Sequence, residues 1–324
     1  MNQIQTSYMG LLLPSPVIAS SSPFTSTVDS ITELAASGAG AVVLKSIFEE
    51  QIAGHAASLE KYSDYPEAGQ YLSRYMEGDY VGRYINLVKR LKTRVNIPII
   101  GSINCYSPGR WVEYAAALEN AGADAIELNI FLQPVSPNRS GSELESRYLD
   151  IASAVTESVK AIPVSVKLAP HFTNPLNMVA SLRNRGIKGV TMFNRMFEPQ
   201  IQTDTLQLTS ADPLSSPSEL RTSLRTAALC SAFVEDVDIS VSTGVHDHTD
   251  AIRCLLAGAN TVQVCTALYK NGIGYISRMN DGITAWMNEH CFLTIDDFRA
   301  SLNARDAKES EMYYRTQYMR YFPE

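Results

Sequence analysis

The chain has 324 residues, 45% of them hydrophobic and 19% charged, which gives a sizeable core and excludes a disordered protein. A net charge of −7 argues against nucleic acid as a general partner, because neutralising phosphates takes a basic surface. No apolar run reaches membrane-spanning length, and Met1 to Thr6 shows no basic stretch ahead of an apolar one, so the expectation is a cytoplasmic protein without membrane contact.

In chain order, residues 4–15 read as a hairpin with Gly10 at its turn, placed to close one end of the fold. Eight short apolar runs then recur, at residues 16–20, 41–45, 98–103, 125–129, 164–168, 189–194, 239–243 and 261–265. Segments with helical spacing and small-residue stops separate them, among them 28–38, 111–122, 176–186 and 250–258. Eight such alternations predict an α/β fold, a (β/α)₈ TIM barrel forming a single domain over residues 1–324. The C-terminal ends of all strands then share one mouth, so Lys45, Asn129, Lys167, Asn194, Thr243 and Cys265 are expected to converge there. Three connections exceed what a minimal barrel needs, at 47–79, 131–141 and 196–217, and loops of that length at the mouth serve as lids or substrate walls. A helical tail is expected over 291–324. Its aromatic and basic residues suit packing on the barrel or on a second copy, which points to a homodimer rather than to single-stranded nucleic acid.

Two of the apolar runs end in lysine, at Lys45 and Lys167. Burying an unpaired ammonium is costly, so each needs an anionic or electron-rich partner, either a ligand at the mouth or a strand carboxylate such as Glu127. The five cysteines, at 105, 230, 254, 265 and 291, show no Cys-x-x-Cys pair and read as reduced thiols, so redox chemistry has to come from a bound cofactor. His246 and His248 form the closest histidine pair, but a helix start explains them better than a metal site, and no metal is expected. After the seventh and eighth strands, the turns at Ser242 to His246 and Cys265 to Leu268 lead into helices. Free N–H groups there suit a phosphate monoester. Phosphate on one side and lysines opposite fit FMN lying across the mouth, with a lysine near the ring edge that becomes anionic on reduction.

Several motifs together carry a resemblance over roughly residues 5–290: Pro16 to Ser20, Glu33 to Gly40 leading to Leu44-Lys45-Ser46, Ile126 to Asn129, Val166 to Pro170, Asn194, Ser242 to Gly244, and Val262 to Leu268. In order and spacing they resemble the dihydroorotate dehydrogenase family of FMN-dependent barrels. The resemblance implies that FMN is held by the backbone around Ala19 and Ser20, by Lys167, and by turns at Gly244, Val245, Cys265 and Thr266, with Ser46, Asn129 and Thr243 in the same cofactor set. It also implies that Lys45 lies between flavin and substrate, and that Asn129 and Asn194 contact a pyrimidine-like cyclic amide. The expected activity is oxidation of dihydroorotate to orotate in pyrimidine biosynthesis, with electrons passing to a small soluble acceptor.

Departures qualify the substrate more than the cofactor. Where the family places a Cys or Ser base, this chain has Leu132, which cannot accept a proton; Ser136, ahead of Pro137-Asn138, is the candidate base, four residues late. The loop after the second strand offers Asp64, Tyr65 and Glu67 in place of the family's asparagine, and Arg195 follows Asn194 where a small polar residue is usual. A lysine Schiff-base lyase acting on a phosphorylated carbonyl, through Lys45 or Lys167, and a flavin-binding barrel without catalysis remain as alternatives.

Overall fold

The computed structural model describes residues 4–50 and 66–315. Strands β1 (Thr6–Tyr8) and β2 (Leu11–Leu13) form the N-terminal hairpin, with Met9 and Gly10 at φ 55° and 78° in the mirror-image turn that suits a two-residue loop. The barrel strands are β3 (Val17–Ala19), β4 (Ala41–Val43), β6 (Ile99–Asn104), β7 (Ala125–Asn129), β8 (Val164–Leu168) and β9 (Gly189–Met192), then β12 (Asp238–Ser242) and β13 (Thr261–Val264). All are parallel, and pairing of β4 with β6 closes the ring. The short β5 (Ile47–Phe48) extends the pairing along β6. All eight expected strands are present in the expected order.

Helices cover the outside: α1 (Val28–Ala36), α2 (Pro66–Lys92), α3 (Pro108–Ala121), α4 (Gly141–Ser158), α5 (Pro175–Arg183), α6 (Leu220–Phe233), α7 (His248–Leu256), α8 (Thr266–Asn271) and α9 (Tyr275–Glu289). Their starts follow from local chemistry. Ser140 and Glu143 make a capping box for α4, and Asp247 caps α7 by accepting from the Asp250 N–H, so His246 and His248 do mark a helix start. Among the described residues no group of three or more His, Cys, Asp or Glu could hold a metal ion.

Strand alternation sorts the core into two layers. Val17, Ile126, Leu128, Val166, Val190, Val241 and Val262 pack outward under the helices. Ile18, Val43, Ile100 and Ala125 point inward at the N-terminal end and meet Tyr8, Met9 and Leu13 of the hairpin. The hairpin therefore plugs that end, as expected. Met9 N–H donates to Asp238 Oδ2 at 2.6 Å, and Asn260 Nδ2 donates to the Ser7 carbonyl at 3.2 Å, fixing its seat. Gly189 makes room for it, since a Cβ there would lie 2.8 Å from Met9 Cγ.

Further along the lumen the inward positions turn polar, with Glu127, Ser165, Lys167, Thr191, Ser240, Ser242 and Gln263 all buried. The long connection after β9 carries an antiparallel ribbon, β10 (Pro199–Gln202) with β11 (Gln207–Ser210), which stands clear of the barrel. The segment after α9 corrects the expected helical tail. Its described part has single 3₁₀ turns at Ile295–Asp297 and Ser310–Tyr313, docked on α6 through Arg225 Nε to the Tyr313 carbonyl at 2.8 Å. Residues 316–324, Asp64 and Tyr65 lie outside the described residues, as does the side chain of Glu67. No helix among the described residues is long and apolar enough to cross a membrane.

Candidate active site

At the C-terminal mouth a cavity of about 150 Å³ opens between the ends of β3, β8, β12 and β13. Lys167 stands on its inner wall at 6% exposure, and its partners are neutral: Ser20 Oγ at 3.3 Å and Gln263 Oε1 at 3.4 Å. The Glu127 ion pair does not form; Glu127 Oε2 instead accepts from Gln263 Nε2 at 2.6 Å and Thr191 Oγ1 at 2.8 Å. An ammonium held by two long, neutral contacts still needs an electron-rich partner, and the cavity is where one fits.

The far wall is the turn after β12. Thr243 and Gly244 both take left-handed conformations, at φ 70° and 84°, and only the second of them is glycine. A β-branched residue there is strained by roughly 1 kcal/mol or more, and the Thr243 hydroxyl is tied down by donating to the Phe193 carbonyl at 2.9 Å. Gly244 is also required sterically, since a Cβ would sit 2.3 Å from the Leu220 nitrogen at the start of α6. The N–H groups of Gly244 and Val245 find no protein acceptor among the described residues. Thr266 opens α8 on the same rim, and its Oγ1 accepts from both the N–H and the hydroxyl of Ser215, each at 3.0 Å. A cationic group at one end and free N–H groups at the other form a donor set that fits a phosphorylated, electron-rich cofactor.

Of the expected residues, Ser20, Lys167, Asn194, Thr243, Gly244, Val245, Cys265 and Thr266 line this cavity. Asn129, 8% exposed, joins through Asn194, whose Nδ2 donates to Asn129 Oδ1 at 2.7 Å. Ala19 is buried in the outer layer, and Ser46 ties the first three barrel strands together through Ser21 and Ser102. Burial pushes the Cys265 thiol up despite nearby Lys167, so it stays protonated at neutral pH.

Two expected residues are placed elsewhere. Lys45 lines a separate cavity of about 290 Å³ with Thr25, Tyr80, Arg83 and Tyr84. Ser136 does not line the mouth cavity; its Oγ accepts from the Asn138 N–H at 3.4 Å within its own loop. Leu132 packs on the core with its N–H donating to Tyr148 Oη. Gln263 escapes notice in the sequence, although a polar residue inside an apolar run is the same signal that marks Lys167. So does Asn104, which donates to the Asn129 carbonyl at 3.0 Å, and so does Ser215, for which a long loop gives no signal. The larger cavity, about 670 Å³ at the hairpin end near Lys188 and Asp238, gathers no comparable set of groups, and that face of such barrels serves stability.

The family profile described as dihydroorotate dehydrogenase matches residues 3–287. The catalytic subunit of dihydroorotate dehydrogenase B (NAD(+)) from Thermoplasma volcanium is 28% identical over 304 residues, covering 92% of this chain and 97% of that protein. The protein of the same name from Methanothermobacter thermautotrophicus is 27% identical, covering 91% and 96%. The chloroplastic dihydropyrimidine dehydrogenase (NADP(+)) of Arabidopsis thaliana is 26% identical over 60% of this chain and 49% of its own length.

Proposed function

The chain belongs to the dihydroorotate dehydrogenase family and is an oxidoreductase, and on that footing we propose that it binds FMN at the mouth cavity and oxidises dihydroorotate. The observation that carries the cofactor is Lys167, a buried ammonium whose partners among the described residues are neutral, facing a cavity whose opposite rim offers N–H groups without an acceptor there. Bound there, FMN supplies the two-electron acceptor. Lys167 holds charge at the ring, the turn at Thr243 to Val245 and Thr266 hold phosphate, and the bonded pair Asn129 and Asn194 orients the amide edge of the substrate.

Family membership does not favour the lyase alternative. The test is anaerobic titration of the purified protein with dihydroorotate. A yellow protein that bleaches supports the proposal, and a colourless protein that cannot be loaded with FMN removes it. Slow bleaching is expected, because Leu132 supplies none of the roughly 10²–10⁴-fold that a positioned base contributes. Ser136→Ala should leave that rate within about twofold if the serine only turns its loop, and a larger loss would restore it as the base.

The names of the archaeal relatives attach NAD(+) and a subunit role to those proteins, which supports electron transfer to an NAD-linked partner subunit over a free soluble acceptor. Copurification with a second polypeptide, and NAD reduction that depends on it, would establish this. Self-association is supported by the ribbon, where Ile201, Leu206 and Leu208 are 68%, 86% and 77% exposed. Sedimentation of the purified chain, with and without Leu208→Lys, tests the homodimer.

A further inference from the structure

Behind Lys167 the lumen holds a buried chain of polar groups that the proposed reaction leaves unused. Gln263, 2% exposed, has its amide fixed at both ends. Its Nε2 donates to Glu127 Oε2 at 2.6 Å and Thr191 Oγ1 at 3.0 Å, so its Oε1 is the atom turned to Lys167 Nζ and Ser20 Oγ. Among the described residues Glu127, 1% exposed, forms no salt bridge, and its Oε1 has no hydrogen-bond partner. A carboxylate at this depth is costly unless a nearby positive charge compensates it, and the amide connects it to Lys167. Direct pairing would turn the ammonium away from the cavity and neutralise it. With the amide interposed, the ammonium stays at the cavity wall while the negative charge sits one residue behind.

We propose that Glu127 and Gln263 are positioning residues that set how much positive charge Lys167 presents to the cofactor ring. The proposal rests on the reading that the ring lies against Lys167. The carboxylate partly offsets the ammonium, so it limits the preference for reduced, anionic flavin. The glutamine keeps that offset indirect. Removing the carboxylate and moving it onto Lys167 should therefore shift flavin redox preference in opposite directions. In Glu127→Gln the offset disappears, and binding of reduced over oxidised FMN should rise by about tenfold. In the swapped pair, Glu127→Gln with Gln263→Glu, the carboxylate meets Lys167 directly and the new amide donates to it, and the same ratio should fall by about tenfold, or about 30 mV for a two-electron couple.

The experiment measures dissociation constants of oxidised and reduced FMN for the wild type, both variants and Lys167→Met, with thermal midpoints alongside. A ratio that falls in Lys167→Met but is unchanged in the other two overturns the proposal and leaves the cofactor site standing; a shift in midpoints alone would then assign the pair a structural role. A ratio unchanged in Lys167→Met overturns both. If Glu127→Gln alone does not fold, the swapped pair decides, since an unchanged or raised ratio there is incompatible with a direct neutralising pair.

Discussion

The two ends of the barrel lumen are closed by opposite means. At the N-terminal end Tyr8, Met9 and Leu13 press on Ile18, Val43 and Ile100 with almost no exposed surface. At the mouth the same inward positions, a few residues further along the strands, carry Lys167, Asn129 and Gln263, and the groups that meet there are donors seeking partners. Stability and binding are thereby separated along one axis. Parallel strands are ordinarily apolar on both faces, and here β7, β8 and β13 give up that rule on the inner face alone.

The comparison breaks most visibly if a change at the plug disturbs the mouth. Leu13→Ala removes a fully buried side chain and should cost about 2–5 kcal/mol of folding stability. FMN affinity of the folded protein should stay within twofold. Denaturant unfolding and flavin titration on the same preparation check both halves, and a tenfold loss of affinity would show that the two ends are coupled. At the mouth, Gly244→Ala forces a side chain into the left-handed region and onto the Leu220 nitrogen. It should weaken FMN binding by about tenfold or more, with a smaller stability loss of about 1–3 kcal/mol. Ser215→Ala is gentler. It removes one hydroxyl that braces Thr266, and FMN affinity should fall about two- to tenfold, read by fluorescence quenching of the titrated flavin.

The contrast also explains how far the molecule is legible in its sequence. The strands are legible because apolar runs and helical spacing alternate along the whole chain, and Lys167 is legible because it lies inside β8, where alternation fixes its inward direction. Lys45 is not. Its strand ends at Val43, so the parity that would have sent the side chain into the lumen stops two residues early, and it faces Tyr80 and Tyr84 on α2 instead. Asn129 and Asn194 are placed by motif, but their bond to each other is a tertiary fact. Glu127 is named only as the alternative partner of a lysine, because sequence shows that a charge needs an opposite and not that a glutamine stands between. Loop residues such as Ser136 and Ser215 carry no periodicity, and their contacts depend on how the connections fold back.

The smallest effect expected separates the two ends by acid. At the mouth, burial and then the nearby Lys270 charge lower the pKa of His246, whose Nε2 lies 3.3 Å from Ser215 Oγ. A histidine with a lowered folded pKa is neutral in both states at high pH. As pH falls through the ordinary value of about 6.5, the unfolded chain takes up the proton first, so folding stability declines until the folded state is protonated as well. At the plug, burial raises the pKa of Asp238, which holds the Met9 N–H. There the folded state keeps its proton to higher pH than the unfolded one, so this group's contribution is fully present below about 3.9 and is lost as pH rises through the folded value. Equilibrium unfolding from pH 4 to 8 reads both slopes. His246→Gln should flatten the decline just below neutrality and leave the acid window alone, whereas Asp238→Asn should change the slope in the acid window and leave the region near neutrality alone. FMN saturation should also flatten the His246 window, because a bound phosphate favours the protonated imidazole of the folded state. A histidine variant that altered only the acid window would show that the two ends share one electrostatic field.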